Sequence, residues 1–465
     1  MDAGVVARRL LDPSEKLLYL CDRVSPFNFV FILNISGDFS DDDCRAAIDW
    51  LQCEHPLLRV HIPPSALKDL EFVIDPSTKI PFKSCDDDIS SLQAHIENEL
   101  CKPMDTASGP LIRFNRIRHR MRISTLLMVM HHSIGDGESG CLLSADFMRL
   151  LSGGGPEAAR WELPAPIDAG LPNIVGWWRH AATGMRMVQS LLKNGAPVKY
   201  VQREADLSQR TPIVCLKKIG GGRVQDILAS CRAHACSVQG ALGAALLLAV
   251  KQHLLSDADA ARLHQKKPIT LQLLSPVDIR KVLEPPIQND LGLYVATQAS
   301  NHRMTADKDF WRLASEIARE LHVSIDRAAP ITFMPIASKY LTKIIEVGGR
   351  IFGIKEITQW LCGTFPACIG LSNMGGVGIV GDYDHISLNG LSYAASLSAT
   401  GAVTSFALTY AGQLSWNFVG MSPSINRRYL QAIADSAVAY LLAATDSVNA
   451  KSADNFPETA RLYNR

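Results

Sequence analysis

Apolar residues recur along the chain at two distinct spacings. Ile89, Leu92, Ile96 and Leu100 are three or four residues apart, which predicts a helix over 89–100 that Pro103 ends. Residues 41–54 read as another helix, with Ser40 or Asp41 as its cap. Residues 29–36 and 57–62 read as strands. Residues 111–118 and 122–131 are apolar runs joined by Arg118-His119-Arg120-Met121, the pattern of a hairpin.

The texture changes after residue 151. Ser152 to Gly155, then Pro156, Pro164, Pro166 and Pro172, interrupt the periodic pattern. A helix is expected around 174–193, then a polar stretch to about 210. The second half restarts with a strand near 212–219, a helix near 223–235 and an Ala/Leu-rich, buried helix capped by Ser237. Strands follow at 268–275, 366–372 and 402–419. In the last of these, Phe406, Leu408, Tyr410, Leu414, Trp416 and Phe418 are expected on one face, with Ala411-Gly412 as the turn. Both halves mix helix and strand, so the expected class is α/β with mixed sheets. The expected division is 1–175, a crossover at 176–210, and 211–465.

Composition narrows the function. Lys plus Arg is 47 against 46 for Asp plus Glu, so there is no basic excess of the kind a nucleic-acid partner requires. With 47% apolar and 20% charged residues, the chain reads as globular for most of its length. Its eleven cysteines form no CxxC, and the first residues lack an apolar signal core. Free thiols in a reducing, cytoplasmic compartment are expected. Residues 233–250, 357–381 and 385–426 carry no charge, yet polar residues, glycines and strand-like alternation make them buried elements rather than membrane spans.

Several motifs fail on context. Gly376 to Gly381 spells GxGxxG, but a strand-like run follows where a dinucleotide site needs a helix. Neither triple glycine, 153–155 or 220–222, is followed by the Lys-Ser/Thr of a phosphate loop. The cluster Arg113, Arg116, Arg118, Arg120 and Arg122 reads as a solvated turn, with docking of an anionic partner as the alternative. The strand 123–130, by contrast, runs into His131-His132-Ser133-Ile134-Gly135-Asp136-Gly137-Glu138-Ser139. Neighbouring side chains on a strand point to opposite faces, so the two histidines cannot share a task. One can project into a cleft and remove a proton, while the other packs behind the sheet.

HHxxxDG followed by xS resembles the signature of the coenzyme A-dependent acyltransferase superfamily, with its condensation domains, polyketide-associated acyltransferases and alcohol acetyltransferases. Four further segments resemble family stretches in family order. They are His55-Pro56-Leu57-Leu58-Arg59; Gly109 to Arg113 after Pro103-Met104-Asp105; Ser275 to Arg280 with Leu291-Gly292 beyond; and Leu371 to Gly375. The late pair Leu408–Phe418 is similar as well. The DFGWG of plant acyltransferases is missing, and the TxND of wax ester enzymes stands here as Ser237-Val238-Gln239-Gly240.

The resemblance implies two chloramphenicol-acetyltransferase-like lobes forming a pseudo-dimer around a central tunnel. It implies a free-standing, monomeric acyltransferase with no metal and no permanently bound cofactor. The acyl group would come from acyl-CoA or an acyl-phosphopantetheine on a carrier protein, and pass to a small alcohol or amine without an acyl-enzyme. Ester formation is expected before amide formation. A condensation-type amide synthase and a non-catalytic docking member are the alternatives. His132 would be the general base and His131 structural. Gly137 would leave room beside His132 and aim a backbone N–H at the oxyanion. Ser372 and Asn373 would line the tunnel. Asp136 would bridge to Arg280 rather than orient His132.

Overall fold

The computed structural model describes residues 7–155, 157–171, 195–198, 205–253, 257–288, 290–327, 329–364, 368–396 and 401–454, with isolated residues between. The helix expected at 174–193 and most of the 176–210 crossover lie outside them.

The first lobe is built on a five-stranded sheet in the order Ile386–Ala395, Asn28–Gly37, Ile123–His131, Ile112–Arg118, Phe82–Asp86. Phe82–Asp86 runs parallel to its neighbour and the other pairs are antiparallel. Asn28–Gly37 is a near-continuous apolar run because it is central and buried on both faces. Helix Asp41–Glu54 starts in a capping box, with the Ser40 hydroxyl accepting the Asp43 N–H and the Asp43 carboxylate accepting the Ser40 N–H. It packs against helix Gly137–Leu151, and His55 Nε2 lies 2.9 Å from Asp146 Oδ2 of that helix.

The second lobe holds a seven-stranded mixed sheet in the order Val295–Met304, Ile269–Asp278, Cys368–Gly376, Gly401–Tyr410, Gln413–Ser422, Thr211–Cys215, with Lys218–Ile219 also paired to Gln413–Ser422. Helices Val238–His253, Phe310–Asp326 and Arg427–Asp454 pack together beside it. Residues 240–250 are buried without exception, which accounts for that charge-free run. The Ser237 hydroxyl accepts the Gly240 N–H at its start. No single helix among the described residues is long and apolar enough to cross a membrane.

Four sequence expectations need correction. The segment 211–465 is not self-contained, because Ile386–Ala395 leaves it to pair with Asn28–Gly37 of the first lobe. Helix Leu92–Cys101 begins after a 3-10 turn, which leaves Ile89 55% exposed. Pro56–Arg59 is a 3-10 turn, so only Val60–His61 of the run 57–62 forms a strand. The six apolar residues of 402–419 lie on two faces rather than one. The two-residue turn Ala411-Gly412, both at positive φ, pairs Tyr410 with Gln413. Even-numbered residues of one strand therefore face odd-numbered residues of the other. Phe406, Leu408 and Tyr410 join the core shared with the first lobe, while Leu414, Trp416 and Phe418 join the helices behind the sheet.

The arginine cluster also turns partly inward. Arg113 is buried against Glu99, and Arg116 and Arg118 both reach Asp41.

Gly140 in helix Gly137–Leu151 touches the ring of Phe31, and a Cβ there would overlap it. Gly140→Ala should therefore cost about 1–3 kcal/mol through overpacking. Thermal unfolding should show a lowered Tm, and an unchanged Tm would contradict this close approach.

Candidate active site

The site begins where strand Ile123–His131 ends. His131 is fully buried. Its Nδ1 accepts the Ser133 N–H at 3.1 Å, so its proton sits on Nε2, 3.5 Å from the Asp22 carboxylate. That carboxylate accepts the Phe27 N–H at 2.7 Å, in the turn before strand Asn28–Gly37.

His132 points the other way, into a cavity of about 210 Å³ between the lobes. Its Nδ1 lies 3.0 Å from the Gly135 carbonyl oxygen. A carbonyl can only accept, so Nδ1 carries the proton and Nε2 presents a lone pair. The rings of Phe29 and Phe27 stand 5.0 and 5.9 Å away and fix the imidazole in an apolar setting. Burial lowers its pKa below the ordinary 6.5, so the ring is neutral at pH 7.

Asp136 does not orient His132. It caps helix Gly137–Leu151, accepting the Ser139 N–H at 3.0 Å. Arg280 grips both its oxygens, at 2.9 and 2.8 Å, and the Tyr294 N–H adds a bond of 2.8 Å. The Arg280 guanidinium also lies 4.8 Å from the Tyr294 ring centroid. Burial alone would raise the Asp136 carboxyl, but the charge and hydrogen bonds of Arg280 outweigh it and hold the group below the usual range. Arg280 is held above its usual value by the same carboxylate, against its own burial.

Gly137 borders the cavity, and a Cβ there would come 2.5 Å from Met374 Sδ of the second lobe. Ser372 borders it from the opposite side, with its Oγ accepting from Tyr393 Oη at 2.9 Å. Asn373 is a correction. It lies outside the cavity lining, and its Oδ1 accepts the Gly375 N–H at 3.0 Å. Strand alternation sends it away from its neighbour Ser372.

Several contributors carry no motif. Tyr393 sits on the strand that crosses between lobes, stacked on Phe31 at 5.3 Å and edge-on to Phe406 at 5.3 Å. Leu17 and Leu18 of helix Pro13–Asp22 form a wall. Aspartate, proline and glutamate at 12, 13 and 15 are a readable helix start, but nothing in them points to a cavity.

Outside the cavity, Glu54, His55 and Asp146 place one ligand atom each within 4.8 Å of one another. Arg149 already stands 2.7 Å from Glu54 and 3.6 Å from Asp146, so an internal cation fills that cluster.

Comparison with known proteins gives a family match, distant relatives and structures of similar fold. Residues 221–417 match the family described as phthiocerol/phthiodiolone dimycocerosyl transferase C-terminus. Phosphinothricin tripeptide synthetase PhsC of Streptomyces viridochromogenes is 26% identical over 198 residues, covering 37% of this chain and 18% of that protein. Bacitracin synthase 3 of Bacillus licheniformis is 25% identical over 150 residues, 31% of this chain and 2% of its own length. The matched stretches thus span under a fifth of these curated relatives.

Among solved structures, polyketide synthase associated protein 5 from Mycobacterium tuberculosis superposes with a TM-score of 0.63 at 18% identity, covering 96% of this chain and 99% of that one. Trichothecene 15-O-acetyltransferase from Fusarium sporotrichioides gives 0.72 at 11%, covering 96% of each chain. The first condensation domain of the calcium-dependent antibiotic synthetase gives 0.66 at 12%, covering 95% and 97%. The fold is the two-lobed mixed α/β fold of acyltransferases and condensation domains. The likeness to these solved structures is one of fold, and the matching family model covers residues 221–417.

The Asp136–Arg280 pair should carry stability as well as position. Removing Arg280 leaves the Asp136 carboxylate buried and without its cation, a loss of about 3–5 kcal/mol, whereas removing Asp136 leaves Arg280 only its second carboxylate, Asp278 at 3.0 Å, and costs less. Asp136→Ala and Arg280→Ala should each lower the denaturation midpoint, with a double mutant well short of the sum. Single losses under about 1 kcal/mol would mark the pair as no more than a surface bridge.

Proposed function

We propose that this protein is an acyltransferase that moves an acyl group from a thioester, on coenzyme A or a carrier-protein phosphopantetheine, to a hydroxyl or amine. The observation that carries the proposal is His132. Its Nδ1–H is committed to Gly135, its pKa is lowered by burial, and it stands in an apolar cavity bordered by both lobes.

The steps follow from that placement. The acceptor O–H or N–H gives its proton to His132 Nε2 as the oxygen or nitrogen attacks the thioester carbonyl. The tetrahedral oxyanion is met by N–H groups at the start of helix Gly137–Leu151, which have no partner within the helix. The carbon–sulfur bond then breaks, and His132 returns the proton to the departing sulfur. No acyl-enzyme forms, because the base acts on the acceptor rather than on a protein nucleophile. No bound cofactor is needed, because the thioester itself carries the activation.

Ester formation is the first reading. Amide formation is the second, favoured by the sequence matches to peptide synthetases. Release of free thiol from a panel of acyl thioesters, with alcohols and amines as alternative acceptors, separates the two. Absence of turnover with every donor, alongside tight carrier-protein binding, would favour a docking member of the fold.

Two outcomes are expected once a donor is found. His132→Ala should lose about 10²–10⁴ in kcat while keeping the wild-type Tm. Wild-type turnover in that variant would remove His132 from the mechanism. The pH profile of kcat/KM should fall on its acid side with a midpoint below 6.5, because burial disfavours the imidazolium and the base stays neutral further down. A midpoint above 6.5 would contradict the buried, neutral assignment.

A further inference from the structure

Helix Ala329–Phe352 carries a pattern that the transfer chemistry does not use. Tyr340, Ile344, Val347 and Ile351 are three or four residues apart and form one stripe along it. All four face outward, with exposures of 67%, 46%, 51% and 72%. The buried side holds Ser338, Thr342 and Ile345, packed toward helix Pro13–Asp22. At Gly353, where φ is +91°, the chain turns into helix Ile354–Thr364. That helix returns close against Gly348 and Gly349 through Ile357 and Ile354. Phe352 and Trp360 add two more large apolar side chains, 67% and 60% exposed. Single exposed apolar residues are ordinary, whereas a continuous stripe of this kind marks an interaction surface.

Charge indicates what covers it. Lys339, Lys343 and Arg350 follow one flank of the stripe. Beside them a cavity of about 410 Å³ opens toward helix Pro13–Asp22, lined by Lys16, Lys339 and Lys343 with Glu346 as the carboxylate. Glu346 is shared between Lys343 at 3.0 Å and Arg350 at 3.2 Å, so the flank keeps a positive excess. An apolar stripe bordered by lysines suits an anionic lipid interface, where apolar side chains enter the acyl boundary and cations meet headgroups. A second copy would present the same positive flank and lacks that complementarity.

We propose that the helical hairpin 329–364 docks this protein on an anionic bilayer surface. Helix Ala329–Phe352 borders the cavity on its inner side through Ser338, beside Ser14, Leu17 and Leu18 of helix Pro13–Asp22, with the Ser14 and Ser338 hydroxyls 3.3 Å apart. Docking would therefore hold the cavity wall beside the membrane, within reach of bilayer-dissolved chains. That consequence rests on the acyl-transfer reading; the docking does not.

Co-sedimentation of the full chain with vesicles tests it. Binding to phosphatidylcholine–phosphatidylglycerol vesicles is expected, weaker by about tenfold or more on pure phosphatidylcholine and at high salt. Ile344→Glu with Ile351→Glu should abolish binding while Tm and turnover of a water-soluble thioester stay unchanged. Lys339→Glu with Lys343→Glu, both on the exposed flank, should lower binding about tenfold or more without touching the apolar stripe. No binding to anionic vesicles overturns the proposal. So does a dimer, seen by light scattering, that the stripe variants dissociate without any vesicle binding. Because binding is read separately from turnover, an inactive protein that still binds would count against acyl transfer alone.

Discussion

The structure depends on one buried ion pair that joins residues 144 positions apart. Asp136 and Arg280 are both nearly inaccessible, at 4% and 7% side-chain exposure. A carboxylate in that position is tolerable only because a planar guanidinium grips both oxygens and backbone N–H groups complete its shell. The pair fixes the loop after His132 against the second-lobe scaffold. That loop presents the Gly135 carbonyl to His132 Nδ1, and the carbonyl sets which ring nitrogen is bare. A long-range electrostatic contact thus becomes a choice of tautomer.

The cavity follows from how the two sheets share elements. Strand Ile386–Ala395 belongs by sequence to the second half and by hydrogen bonding to the first-lobe sheet. It brings Tyr393 between the lobes, where the phenol meets Ser372 on one side and Phe31 on the other. His132 comes from the first lobe and the polar handle at Ser372 from the second. A chamber that needs both cannot form until the lobes have docked, so stability and site geometry are coupled through the same contacts.

Much of the site was legible because a strand has only two faces. Alternation alone separates the tasks of His131 and His132, and the glycine-bracketed turn places them at a strand end. The partnership of Asp136 with Arg280 came instead through family resemblance, since no local spacing links positions so far apart. The same parity rule explains two errors. Ser372 and Asn373 are neighbours on a strand, so they cannot both face one chamber. In the hairpin 402–419 the two-residue turn pairs 410 with 413, which reverses the face occupied by odd and even positions. The Tyr294 N–H and the Tyr393 hydroxyl were invisible to sequence reasoning because each acts through tertiary placement. Ile386–Ala395 alternates like any other strand, and nothing local to it says which sheet it joins.

Everything proposed for the cavity turns on His132 as a neutral imidazole with its proton on Nδ1 and Nε2 bare. Nitrogen-15 NMR of the histidine-labelled protein at pH 7 reads this directly, with His132→Gln assigning the resonance. A neutral ring protonated on Nδ1 is expected, its Nε2 signal at the position of an unprotonated nitrogen. An imidazolium, or a ring protonated on Nε2, would contradict it.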